Sequence, residues 1–490
     1  MLTVASTFSD RSPTAYVTGQ MTTDPSRKPH MTNVRTLFQY GAGVLCVVLL
    51  HAVPVVAQPV AELLDAVKES IHQRVDYGYT VGLVVGLVDA DGPRYYSYGR
   101  VAAASDRTPD ENTVFEIGSI TKVFTAILLA DMAQRGEVAL DDPIATYLPD
   151  SVHVPVRGEQ PITLKHLATH TSGLPRLPIN LNPADPANPY ADYSVAQLYD
   201  FLSHYTLPRD AGAQYEYSNY GAGLLGHILA RHADTSYEAL VETRIADVLG
   251  LGDTRITLSP AMQERLAKGH NGSVEVANWD IPTLAGAGAL RSTAHDMLAF
   301  LAANMGLVET PLRDALALSH EVQIDNPSGG MQVGLGWHVR PHGETATIWH
   351  NGGTGGYRSF TGFLQDGRKG VVVLTNATDS VDDLGFHLLD PSYPLRAIYK
   401  PVAVDSEVLD AYVGNYQLDS AFFITVTREG EQLMVQATGQ PRLAIYPMSE
   451  TEFFLKDVDA RLTFNRSDGG TVESLTLHQN GQDMLGKKVE

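Results

Sequence analysis

One segment of the chain, Phe115-Glu-Ile-Gly-Ser-Ile-Thr-Lys-Val-Phe-Thr125, holds a serine and a lysine spaced for nucleophilic chemistry, with Ser119 and Lys122 three residues apart. Residues i and i+3 of a helix share a face, so the amine lies beside the hydroxyl. A serine in the first turn of a helix also meets the positive end of the helix dipole, which favours a developing oxyanion. Lysine acts as a base only where burial or nearby cations depress its pKa, and Val123, Phe124, Ile127 and Leu128 form an apolar flank suited to that. About one S-x-x-K arises by chance in a chain of this size. Read alone, the pair is better explained by a capping serine and a solvated lysine.

Two further elements give the pair a context. Tyr217-Ser-Asn219 is the only Y-x-N in the chain. In an extended segment alternate side chains share a side, so Tyr217 and Asn219 both face one cleft. A tyrosinate beside a lysine ammonium is a workable general base, because opposite charge lowers the phenol pKa. The plainer reading is an aromatic-rich turn packed on the core. The third element, His350-Asn351-Gly352-Gly353, follows a strand expected over Thr345–Trp349. Glycines there let a substrate lie against the strand edge, and a histidine can share a proton or pair with a carboxylate. His270-Asn-Gly repeats the letters. The preceding strand, and Gly355 and Gly356 following, favour His350, whereas His270 falls in a polar loop.

The elements that must position these residues are legible by period. Val60, Leu63, Leu64, Val67, Ile71 and Val75 mark an amphipathic helix. Strands are expected at Thr80–Val88 and Arg94–Tyr98 around the turn Asp89–Gly92, then a helix over 119–134 ended by Gly136. A loop rich in Pro, Asn and Asp spans Leu174–Tyr193, and helices recur at 194–204, 221–232 and 293–304. Strands return at Val333–Arg340, Thr345–Trp349, Ser359–Leu364 and Gly370–Thr375. Early and late strands bracketing helices imply one sheet assembled from both ends of a domain. Six β-rich runs between Phe422 and Leu477 read as a small separate all-β domain. The division is therefore 1–57 N-terminal extension, 58–380 hydrolase domain, 381–404 linker and 405–490 β-domain.

In order and context the three motifs resemble the serine β-lactamase and penicillin-binding family. The likeness is greatest to its class C-like branch of β-lactamases, esterases, D-aminopeptidases and D-Ala-D-Ala carboxypeptidases. Leu167-Ala-Thr-His-Thr-Ser-Gly-Leu174, Ala285-Gly-Ala-Gly-Ala-Leu-Arg-Ser-Thr293 and Gly334-Leu-Gly-Trp337 are similar to that branch too. The likeness covers roughly 60–380, and the tail looks like a small β-domain often appended to such hydrolases. It implies an α+β fold, an antiparallel sheet flanked by helices, with a barrel-like all-β domain behind it. It also implies an acyl-enzyme on Ser119, with Lys122 and Tyr217 moving its proton. Asn219 would hold Lys122 and the substrate amide, and the N–H groups of Ser119 and Gly353 would form the oxyanion hole. His350, Asn351 and Gly352 stand where β-lactamases usually carry Lys-Thr-Gly. An imidazole is a weaker fixed cation at neutral pH, so esters, amino-acid amides or D-amino-acid peptides fit better than β-lactams. A true class C-type β-lactamase and a non-catalytic wall-fragment receptor on the same fold are the alternatives.

Composition narrows the field. The 490 residues carry a net charge of −21, with 44% hydrophobic and 19% charged, a balance of soluble globular enzymes. Such a surface repels phosphate backbones, which argues against nucleic-acid partners and leaves a small molecule or peptide as substrate. The first 57 residues do not read as fold. After Met31 come Arg35, an apolar run from Tyr40 to Val56 and Val55-Val56-Ala57, the pattern of a signal peptide and of secretion or a periplasmic location. Met31 or Met21 is the expected start. A membrane anchor is the other reading, for which about 17 residues is the short limit. The single cysteine, Cys46, lies in that run, so a chain cleaved after Ala57 has no thiol nucleophile, disulfide or Cys-based metal site. No serine has glycine two residues before it, against the α/β-hydrolase elbow, and H-E-x-x-H is absent. His166 and His170 lack a third ligand and read as structural. No metal or cofactor is expected.

Overall fold

The protein is described here by a computed structural model over residues 64–325, 330–456 and 458–489. The expected signal segment, its cleavage site and Cys46 lie outside the described residues. Among the described residues no helix is long and apolar enough to cross a membrane.

Helix α1 (Asp65–Asp76) leads into a hairpin of β1 (Gly82–Asp89) and β2 (Gly92–Gly99). A helical layer follows, including α2 (Thr121–Gln134), α3 (Asn219–His232) and α4 (Ala294–Asn304). The chain then returns to the sheet as β3 (Gln332–Val333), β4 (His338–His342), β5 (Thr345–Gly353), β6 (Arg358–Leu364) and β7 (Gly370–Thr375), and α5 (Asp382–Leu389) closes the domain. The order across the sheet is β2-β1-β7-β6-β5-β4-β3, every pairing antiparallel. The N-terminal hairpin thus completes a sheet whose other strands lie at the far end of the domain, as the sequence implied.

Register fixes which residues face which layer. His350, Thr361, Val372 and Gly86 form one cross-strand row. Gly86 faces Leu298 of α4, where a Cβ would come within 3.0 Å. Asn351, Phe360, Val373 and Val85 form the next row. Because side chains alternate along a strand, that row faces the opposite layer, where Phe360 packs on Gly385 of α5.

Three expectations need correction. The run Val333–Arg340 is not one strand: Gly334–Trp337 breaks it, with Gly336 at φ +71°. A Cβ at Gly336 would stand 2.8 Å from the Lys122 carbonyl oxygen, so the break lets the chain close on α2. Strand β5 runs four residues beyond Trp349, so the third motif lies in the strand rather than after it. Of the expected linker 381–404, Asp382–Leu389 is helical and lies on the sheet.

Beyond it a short helix, Ser406–Tyr412, precedes a closed eight-stranded antiparallel barrel running from Gly414–Asp419 to Gln482–Val489. Fully buried Arg74 of α1 binds Asp379 (3.0 Å) and Asp383 (2.6 Å), and Arg396 binds the other oxygen of Asp379. Tyr79 donates to the Tyr399 carbonyl (3.2 Å) and stacks on Phe454 of the barrel. Lys456 donates to the carbonyls of Tyr77 and Gly78.

Candidate active site

Ser119 sits in a single 3-10 turn, Gly118–Ile120, that runs into α2. The turn is pressed against the third motif backbone to backbone. Gly118 takes φ +52°, and a Cβ there would lie 2.6 Å from the Gly353 nitrogen. A Cβ on Gly352 would lie 2.0 Å from the Ile117 oxygen and 2.4 Å from Ser359 Oγ. Ser359 Oγ donates to that same Ile117 oxygen at 2.8 Å. The glycine of this strand therefore makes room for the serine turn itself, not for a substrate as the sequence suggested. The close approach sets the backbone of Gly353 beside that of the serine turn.

Lys122 is buried, and its Nζ stands 2.9 Å from Ser119 Oγ and 2.6 Å from the Ala287 carbonyl oxygen. Burial, with help from the Arg176 guanidinium, holds its pKa well below the usual lysine range. The carbonyl comes from the stretch Ala285–Thr293. Gly286 of that stretch meets Gly226 of α3 so closely that a Cβ would fall 2.9 Å from the Gly226 Cα. Thr125 Oγ1 donates to the Gly286 carbonyl, and the Leu290 N–H donates to Thr121 Oγ1.

Tyr217 packs its ring under the lysine, with Nζ 4.9 Å from the ring centroid, and Ser119 hydrogen-bonds its phenol. Burial pushes the phenol pKa up, more than that hydrogen bond pulls it down. Burial thus works against the expected tyrosinate–ammonium pair. Desolvation disfavours the charged form of both groups. Asn219 opens α3 with its amide in the cleft. Its Oδ1 has no hydrogen-bond partner among the described residues, and Lys122 Nζ is held by the Ala287 carbonyl rather than by Asn219.

His350 is buried with its ring in the helical-layer row, 6.3 Å from the Tyr217 ring and stacked on His338 at 4.8 Å. Its Nδ1 donates to the Asn351 carbonyl (2.5 Å), and Nε2 has no partner among the described residues. Burial holds it well below the usual histidine range, and His338 is pushed down to about 4 for the same reason. Asn351 does not reach the cleft. Its amide donates to Asp382 of α5 at 2.7 Å, because it lies one residue out of phase with His350. His270 is buried rather than in a polar loop, and its ring nitrogens bind the backbone at Ala103 and Asn376.

A narrow cleft opens over Ser119. Gly353 and Thr354 line one side, and Tyr190, Trp279, Ile281 and Leu284 add apolar surface. Trp279 is fixed from below by buried Glu116, which accepts from the Trp279 N–H (3.0 Å), Asn278 and Arg291. Sequence reasoning missed this support, and it also missed His170. The chain leaves the helix Leu164–Ala168, capped by His166, and His170 adopts φ +58°. Its ring lies 4.4 Å from that of Tyr217, and Nδ1 accepts from the Ser218 N–H (3.1 Å). The only signal for it was its place in Leu167–Leu174.

The β-lactamase family model matches residues 67–388, well over half of the chain. The chain belongs to the β-lactamase family. This family member is a serine hydrolase, as its sequence implied. The tail, 399–488, matches a domain of unknown function, DUF3471. The D-alanyl-D-alanine-carboxypeptidase/endopeptidase AmpH of Escherichia coli (strain K12) is 28% identical over 70% of this chain and 94% of its own length. Penicillin-binding protein 4* of Bacillus subtilis (strain 168) is 25% identical over 82% of this chain and 93% of its own. A class C β-lactamase structure from Rhodobacter sphaeroides superposes with TM-score 0.56 at 26% identity, covering 64% of this chain and 94% of that one.

Proposed function

We propose that this β-lactamase-family hydrolase forms an acyl-enzyme on Ser119 and cleaves esters, amides or D-amino-acid peptides, with β-lactams as poor substrates. The observation that carries the reading is the buried Lys122 amine 2.9 Å from Ser119 Oγ. A neutral amine donates one N–H to Ala287 and offers its lone pair to the serine proton. As that proton moves to Nζ, Oγ bonds the carbonyl carbon and the oxyanion forms toward the Ser119 and Gly353 N–H groups. Collapse breaks the bond to the leaving nitrogen or oxygen. Tyr217 gives its proton to that atom and regains one from Lys122. Water then releases the acyl group by the same steps in reverse. Asn219, with an unpartnered Oδ1 in the cleft, suits a substrate N–H.

The choice against β-lactams rests on His350, which is buried and neutral where a permanent cation would grip a carboxylate. The relative's printed activity, a carboxypeptidase/endopeptidase, supports peptides as a class. Export through the N-terminal segment is part of the same reading. Fluorophosphonate labelling read by intact mass tests the nucleophile: wild type should take one equivalent and Ser119→Ala none. Comparison of kcat/KM for a p-nitrophenyl ester and nitrocefin tests the class. A large preference for nitrocefin would make the enzyme a β-lactamase.

A further inference from the structure

We propose that Arg176 is a specificity residue that reads a carboxylate on the leaving-group side of the substrate. The inference rests on the assignment of Ser119 and Tyr217 above. Its starting point is how firmly the backbone of this loop is tied to the Tyr217 segment. Ser218 Oγ donates to the Pro175 carbonyl at 2.7 Å, and the Arg176 carbonyl accepts from the N–H groups of Asn219 (3.0 Å) and Tyr220 (3.3 Å). These bonds cap the start of α3 and hold the Arg176 backbone beside Asn219, which lines the cleft. The side chain stands over the Tyr217 ring, its guanidinium carbon 5.2 Å from the centroid.

The guanidinium is exposed, and no hydrogen-bond or ion-pair partner for it occurs among the described residues. Other arginines of this domain are held by carboxylates: Arg74 by Asp379, Arg244 by Asp131 and Glu137, Arg265 by Asp253. A fixed, forked cation left open beside the proposed leaving-group proton donor fits a planar anion. The groups below it provide no competing charge, since His170, His338 and His350 are buried and held neutral. Carboxylate recognition thus sits over Tyr217, on the Pro175–Arg176 loop, rather than on the strand, where His350 stands in place of a cation. A freely rotating leaving group, such as a C-terminal amino acid, can swing its carboxylate to that loop. A β-lactam cannot, because its leaving nitrogen stays tethered in the ring.

The test compares kcat/KM for two esters of one acyl group, an m-carboxyphenyl ester and the unsubstituted phenyl ester. The ratio cancels any effect of Arg176 on Lys122, which both substrates share. Wild type should favour the carboxylate ester, and the ratio should fall about tenfold in Arg176→Ala and by a smaller factor in Arg176→Lys, which keeps the charge but not the fork. Added salt should lower the wild-type ratio and leave that of Arg176→Ala flat. An unchanged ratio in Arg176→Ala, with Ser119 still labelled by the fluorophosphonate, overturns the proposal for Arg176 alone. A wild type that takes no label overturns the nucleophile beneath it.

Discussion

Gly352→Ala isolates the contact on which the site geometry depends. Its added methyl would lie 2.0 Å from the Ile117 oxygen and 2.4 Å from Ser359 Oγ, roughly 1 Å or more short of a van der Waals separation. Neither neighbour can yield cheaply. Ile117 is backbone two residues before Ser119, and Ser359 Oγ is hydrogen-bonded to it inside the sheet. The strand and the serine turn must therefore part, at a cost of about 1–3 kcal/mol for overpacking. For a domain of this size that lowers Tm by several degrees, at roughly 2–4 °C per kcal/mol. The kinetic effect should exceed the stability effect. A displacement of about 1 Å between the nucleophile and the N–H of Gly353 costs on the order of 10²-fold in kcat/KM. The assay is the fluorophosphonate labelling rate and p-nitrophenyl ester turnover at a temperature where circular dichroism shows the variant folded. Gly252→Ala is the control, since nothing lies within 4 Å of its added Cβ, and it should stay within about 0.5 kcal/mol of wild type. A Gly352→Ala enzyme that melts and labels like wild type would refute the packing of the strand on the serine turn.

Other expectations follow from the same geometry. Lys122→Ala and Tyr217→Phe should each slow acylation by about 10²- to 10⁴-fold, and the double variant should lose far less than the product, because one proton passes through both; additive losses in a double-mutant cycle would separate them. The acid limb of kcat/KM should fall well below the ordinary lysine range, since Lys122 must be neutral to act and burial depresses it; Arg176→Ala removes a repelling cation and should move that limb to higher pH, and a limb in the ordinary lysine range would contradict the burial. A chain ending after Pro401 should still label at Ser119 but melt lower, having lost the bonds of Lys456 to Tyr77 and Gly78 and the stack of Phe454 on Tyr79. A chain ending at Asp379 should not fold, because Phe360 and Asn351 lose their cover on α5.

The sequence carried the parts of the site that depend on local period. The i, i+3 spacing of Ser119 and Lys122, the alternation at Tyr217 and Asn219 and the hydrophobic rhythm of the strands are properties of short segments. What it could not carry depends on long-range backbone. The Ala287 carbonyl that holds Lys122 has no side-chain signature, and the turn at His170 rests on a positive φ that its neighbours do not announce. The phase of Asn351 was hidden because apolar alternation stops at Trp349 while strand pairing continues to Gly353. The burial that works against a charged Lys122–Tyr217 pair was hidden for a related reason. Opposite charges in contact suggest an ion pair until the depth of burial is known.

Strand β1 pairs with β2 on one side and with β7 on the other, and β7 lies almost three hundred residues downstream. The apolar run from Leu83 to Val88 is buried only once that partner arrives. During synthesis the hairpin therefore waits with one edge open while the whole helical layer emerges, and loop closure over that span must precede any reward from sheet pairing. Such a chain folds slowly and late, and its exposed edge invites pairing with a neighbour in the meantime.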